Sequence, residues 1–342
     1  MIINMYPKRL KKGDEIRVIA PSRSMVRLSE ETIRLATKRL EDLGLKVTFG
    51  KNVMKSQDIY ECATIKERID DLHAAFLDKN VKAILTVVGG YNANQLLKYI
   101  DYNIIRNNPK IFCGLSDITV LQNAIYAKTG LVTFSGVHFS NFGMKQGFEY
   151  SEEYFKKMFL DNRSEVNVES SKYYSSDEWF MTQDDRTFIP NDGMVAINEG
   201  EAEGVIVGGN LCTLNLLQGT EFMPNIENKI LFLEDTGNLN SNFLLEFDRN
   251  LESLMQLKQF SRVKGIVFGR AEENCEMTIE KWKMMISNKQ DLEKIPLIVN
   301  ANIGHTTPIF TFPIGGKCKI KASKSKCEIV LKKELEKEDM ER

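Results

Sequence analysis

The 342-residue sequence carries 46 Lys and Arg against 47 Asp and Glu, a net charge of −1. Hydrophobic residues make up 42%, enough for a large core, which excludes a disordered chain. The charge balance excludes a dedicated nucleic-acid or polyanion binder, which would show a basic excess.

In chain order, residues 16–20 (IRVIA) read as a strand closed by Pro21-Ser22, and residues 29–40 as an amphipathic helix ended by Gly44. A strand over 46–49 and a helix over 65–77 follow, the latter with Ile69, Leu72, Ala75 and Phe76 on one face. Residues 83–88 (AILTVV) and 111–115 form continuous apolar runs, as expected of strands buried on both faces. Between and after them, 92–100 and 117–128 are helical. Strand and helix alternate without a hairpin signal, which predicts a parallel α/β sheet.

Residues 149–198 are polar and weakly periodic, read as a helix followed by a long connecting loop. Strands are then predicted over 203–207, 230–233, 265–268 and 296–299, helices over 211–217 and 243–257, and two closing strands over 317–331. The expected division is an N-terminal α/β domain at 1–165, a connecting loop at 166–195 and a C-terminal α/β domain at 196–342. No apolar run has signal-peptide length or the roughly 18 residues of a membrane span, so a cytoplasmic setting and no membrane partner are expected.

The six Cys form no CxxC pair, and there are only three His, at 73, 138 and 305. No metal and no disulfide framework are therefore expected. Three polar residues instead follow apolar runs. Ser116, in CGLSDIT, lies on a strand-to-helix turn two residues after Gly114, where a hydroxyl can stand over the C-terminal edge of a sheet. The plainer alternative makes Ser116 or Asp117 the N-cap of the helix. Gly89-Gly90, after the AILTVV run, can turn backbone N–H groups toward a ligand or can serve only the φ angles of a turn. Glu234 and Asp235 end the ILFLEDTGN run, and His305 follows IPLIVNANIG. His73 sits within a helix and His138 after a glycine turn; both read as less promising. Serine, histidine and carboxylate are a recurring set because serine is a weak nucleophile at its own pKa. An imidazole must take its proton, and a carboxylate must hold the ring in one tautomer. A base of this kind is expected to titrate at about 6 to 7.5.

The ordered motifs GDEIRVIAPS, VVGGYNANQLLKYIDY, CGLSDIT, GVIVGGNLCTLNLL, LFLEDTGN, VKGIVFGR and NANIGHTTPIFTFPIG resemble the serine peptidase family of LD-carboxypeptidases and microcin C immunity proteins. The resemblance implies a Rossmann-like N-terminal domain, a swivelling C-terminal α/β domain, a homodimer, and no metal or other cofactor. It implies a triad of Ser116, Glu234 and His305, with the backbone N–H groups of Gly90 and Asp117 as the oxyanion hole. One branch trims D-alanine from muropeptide tetrapeptides. The other cleaves the amide joining a C-terminal aspartyl residue to a modified nucleotide. Tyr173, Tyr174 and Trp179 lie in the stretch 172–186, where subfamilies differ, and an aromatic ring there favours the nucleotide branch because bases stack on it. The expected partner is thus a small peptide or aminoacyl-nucleotide, with a non-catalytic binding protein as the alternative of another class.

Overall fold

A computed structural model of the chain describes residues 4–181, 183–237 and 242–334. The first sheet is built from β1 (Glu15–Ile19), β2 (Lys46–Phe49), β3 (Val81–Thr86), β4 (Ile111–Gly114) and β5 (Thr133–Ser135). They are parallel and lie in the order β5-β4-β3-β1-β2. All of β4 and every residue of β3 except Lys82 is buried, as a sheet covered on both faces requires. Helices α1 (Glu30–Asp42), α2 (Ile65–Leu77), α3 (Tyr102–Asn107), α4 (Thr119–Thr129) and α5 (Glu149–Phe159) complete this half. Ser29 caps α1 by accepting from the Thr32 N–H. At α2, Thr64 and Glu67 form a reciprocal capping box, which satisfies two otherwise orphaned amides. The predicted helix over 92–100 is a 3₁₀ segment, Ala93–Tyr99.

Helix α4 is buried almost all round, which marks it as interior. It is wedged against the second half of the chain. Asn123 Nδ2 donates to Gly208 O at 2.7 Å, and Thr119 Oγ1 accepts from Asn210 N at 3.0 Å.

The connection is not simply a loop. After α5 come β6 (Glu165–Val168), a small hairpin of β7 (Tyr173–Tyr174) and β8 (Ile189–Pro190), and β9 (Val195–Asn198). Strands β6 and β9 form the two outer edges of the second sheet. In EVNV only alternate residues are buried, the signature of an edge strand that a search for apolar runs passes over. The sheet continues with β10 (Gly200–Asn210), β11 (Lys229–Glu234), β12 (Gly265–Gly269) and β13 (Leu297–Ala301), all parallel, with α6 (Leu211–Asn215), α7 (Phe243–Met255) and α8 (Ile279–Ser287) between them.

Strand β14 (Phe312–Ile314) then leaves the second half and pairs antiparallel with β5, so the chain returns to the first sheet. Strand β14, from the expected 196–342 domain, thus completes the first sheet, and β6, at the start of the expected 166–195 connection, joins the second. The two closing strands, β15 (Lys317–Ala322) and β16 (Glu328–Lys332), add antiparallel beside β10 as expected.

Candidate active site

The strand order reverses direction between β1 and β3, and open α/β sheets bind ligands beyond the carboxyl ends of strands at such a switch point. Ser116 stands beside it, just past the end of β4 and against the Gly89 turn that follows β3, with φ of +62°. A non-glycine residue in this left-handed region costs on the order of 1 kcal/mol. It opens a short 3₁₀ turn, Ser116–Ile118, before α4, and neither cap position makes a side-chain cap bond. Ser116 and Asp117 are thus not capping their helix. The sharp turn exposes the hydroxyl, as in a nucleophile elbow.

Room around the serine comes from glycines. A Cβ on Gly89 would lie 2.9 Å from the Cβ of Ser116, and one on Gly90 would collide with Ser22 Oγ. Neither glycine has a positive φ, so close approach rather than turn geometry demands them.

Across the interface, His305 follows β13 and Glu234 ends β11. Nε2 of His305 is 3.1 Å from Ser116 Oγ, and Nδ1 is 2.7 Å from Glu234 Oε2. Glu234 is 2% exposed. Gly304, at φ +101°, admits the carboxylate, since a Cβ there would lie 2.6 Å from Oε2. Burial pushes the His305 pKa down. The hydrogen-bonded Glu234 carboxylate opposes this, joined by Glu272 and Asp235, and the net position is up at about 9. That lies above the 6 to 7.5 expected from the sequence, because three acidic groups face the ring. Asp235, the other carboxylate of the ILFLED run, is occupied by Asn210 Nδ2 at 3.1 Å and the Cys212 N–H at 3.0 Å.

Asp117 contributes a buried carboxylate that the sequence reading missed. Its Oδ2 accepts from Ser22 Oγ at 2.5 Å and from the N–H groups of Asn92 and Ala93 at 2.9 and 2.8 Å. Burial raises its pKa and these hydrogen bonds oppose the rise. One carboxylate thereby ties the loops after β1, β3 and β4 together.

The cleft over Ser116 is lined by Gly89, Gly90, His138, Trp179, Glu272 and His305 among others. His138, read as unpromising, reaches it. Its Nδ1 meets Thr86 Oγ1 at 2.8 Å, and burial, with His305 nearby, holds its pKa down at about 3, so it is neutral. His73 is structural, accepting the Asp101 N–H.

Of the three aromatic residues expected at the substrate, the structure brings only Trp179 to this cleft, where it is joined by Phe180 and Tyr91. Tyr173 lines a separate hollow beside α5, and the Tyr174 ring is covered by the Arg270 guanidinium at 4.4 Å. The β7–β8 pairing turns both away. The Trp179 segment is pinned to the His305 loop by two backbone bonds between Ser175 and Thr307. Among the described residues, no group of His, Cys, Asp and Glu is placed to hold a metal ion, and no helix is long and apolar enough to cross a membrane.

Residues 16–136 match the model of the LD-carboxypeptidase N-terminal domain of peptidase S66, and residues 203–320 match that of its C-terminal domain. The chain belongs to the S66 peptidase family. Within it, the Bacillus subtilis protein known as "Putative carboxypeptidase YocD" is 50% identical over 93% of this chain and 96% of its own length. The crystal structure of an MccF-like protein from Bacillus anthracis matches with a TM-score of 0.95 at 54% identity, covering 96% of this chain and all of that one (100%). Microcin C7 self-immunity protein MccF of Escherichia coli is 30% identical over 94% of this chain and 95% of its own length. A structure of MccF in complex with glutamyl sulfamoyl guanosine matches this S66 chain with a TM-score of 0.85 at 27% identity, covering 96% and 98% of the two chains.

Proposed function

We propose that this S66 peptidase is a metal-free serine amide hydrolase that cleaves the bond between a C-terminal aspartyl residue and a modified nucleotide. The observation that carries the reading is the unbroken chain of contacts from Ser116 Oγ through the His305 ring to Glu234, at 3.1 and 2.7 Å. With a half-buried indole, Trp179, lining the same cleft, this arrangement suits an acyl group joined to a stacked base. The ligand named in the MccF complex, an aminoacyl sulfamoyl nucleoside, has that form.

In this reading Ser116 Oγ attacks the carbonyl carbon while His305 Nε2 takes its proton. Glu234 fixes the Nδ1–H tautomer and stabilises the imidazolium. The N–H groups of Gly90 and Asp117 receive the oxyanion. The imidazolium then gives its proton to the leaving nitrogen, and water releases the aspartyl group from Ser116 by the same steps.

A second reading, release of D-alanine from muropeptide tetrapeptides, is favoured by the description of both matched domains as LD-carboxypeptidase domains. Incubation with aspartyl-sulfamoyl adenosine and, separately, with a muropeptide tetrapeptide distinguishes them. Cleavage of the conjugate is expected. D-alanine release with the conjugate intact gives the case to the second reading, and no turnover of either leaves a non-catalytic binder.

A further inference from the structure

We infer that Arg23 is a specificity-determining residue of this cleft, engaging an anionic group of the substrate next to the scissile amide. The inference rests on the amide-hydrolase reading and deepens it. Arg23 follows β1, and its N–H donates to Gly89 O at 3.3 Å, which stitches it to the glycine turn that abuts Ser116. Its stem lies along that turn, since a Cβ on Gly90 would stand 3.0 Å from Arg23 Cγ. Among the described residues lining the cleft, Arg23 is the one lysine or arginine.

Its charge is not cancelled. Glu61 pairs with Arg23 Nε at 2.8 Å through one oxygen and with Arg27 Nη1 at 3.1 Å through the other. Two guanidinium groups on one carboxylate leave a surplus positive charge. The pairing with Glu61 uses Nε, so the Nη fork remains as the face that matches carboxylate, phosphoryl and sulfonyl oxygens. The guanidinium also lies over the ring of Tyr91, another residue lining the cleft, at 5.2 Å. Glu272, Glu178 and Asp177 also line the cleft, the last paired with Arg186 Nε at 2.7 Å. A guanidinium in a cleft that otherwise presents carboxylates orients a charged substrate.

The shared ligand chemistry is an oxyanion close to the amide. It has two sources: the side chain of an acidic acyl group, or an anion on the leaving part, such as an acyl sulfamate, a phosphoramidate or a terminal carboxylate. Neither Ser116 nor His305 can read that charge, because both are committed to the bond being broken.

The test measures affinity by calorimetry in a Ser116→Ala background, so that ligands bind without being consumed. The probes are aspartyl-sulfamoyl adenosine, alanyl-sulfamoyl adenosine and adenosine, with Arg23 intact or replaced by Gln or Lys. Arg23→Gln should weaken the aspartyl conjugate roughly 10- to 100-fold, the size of a lost charge-assisted contact, and leave adenosine within about twofold. Arg23→Lys should recover part of the loss. A loss confined to the aspartyl conjugate assigns the acyl side chain; a loss shared by the alanyl conjugate assigns the leaving-group anion. Unchanged affinity for both conjugates, equal weakening of adenosine, or no binding with Arg23 intact overturns the inference. A parent chain that binds the conjugates and never cleaves them removes the hydrolase reading alone, because the binding arms still decide the role of Arg23.

Discussion

A methyl group on Gly89 would sit 2.9 Å from the Cβ of Ser116 and 3.1 Å from its Oγ. The turn after β3 therefore limits how far the serine can lean from its contact with His305. Gly89→Ala should push the hydroxyl off that 3.1 Å contact. A displacement on the order of 1 Å costs about 100-fold in rate. We expect kcat/KM to fall by about that factor with little change in melting temperature; unchanged turnover would show that the turn yields instead.

The strain at Ser116 gives a separable prediction. At φ +62° a serine pays for its position, whereas glycine adopts it freely. Ser116→Gly should melt no lower than the parent while losing turnover. A melting temperature many degrees lower would show that the side chain supports the fold rather than the chemistry.

The acids around His305 set the pH profile. With its pKa pushed up to about 9, the imidazole is largely protonated at neutral pH, and only the neutral ring can accept the serine proton. The kcat/KM value should therefore climb through neutrality, reach half its limit near pH 9 and level off only about a unit above that. Glu272→Gln removes one of the raising charges and should move the midpoint down. Linkage gives the matching sign for stability: the folded pKa lies above the unfolded value of about 6.5. The contribution of His305 to the fold is complete below that pH and disappears as the pH rises through about 9. A flat profile between pH 6 and 9 would contradict this assignment.

Trp179 and Tyr173 should behave differently, because only the first lines the cleft. Losing one base stack costs roughly 1–3 kcal/mol, about 5- to 150-fold. Trp179→Ala should impair cleavage of an aminoacyl nucleotide by that factor and spare a small peptide, while Tyr173→Ala leaves both near the parent rate. Equal losses on nucleotide and peptide would show that the indole only supports its segment.

Much of the architecture is legible in the chain because strands buried on both faces must be continuously apolar, as in AILTVV and ILFL. What escapes is the edge of each sheet. Strand β6 buries only alternate residues, and β14 contains Pro313, which removes a ladder donor and hides a strand from pattern reading. Ser116 and Glu234 are readable because each closes an apolar run, and His305 because it stands six residues past the PLIV run. The carboxylate of Asp117 is not, since its partners Ser22, Asn92 and Ala93 are brought to it only by the fold. Glu272 could have been found by the same rule as Glu234, because it follows the GIVFG strand. For Tyr173 and Tyr174, sequence proximity to Trp179 misleads, since the short hairpin turns neighbouring rings to different surfaces.

Hydrolysis of aspartyl-sulfamoyl adenosine by the parent and by Ser116→Ala, followed as free aspartate released, tests Ser116 as the proposed nucleophile. Steady release by the parent and a fall in kcat of roughly 10³ or more in the variant, with the fold retained, are expected. Release by Ser116→Ala at a rate near that of the parent would contradict that role.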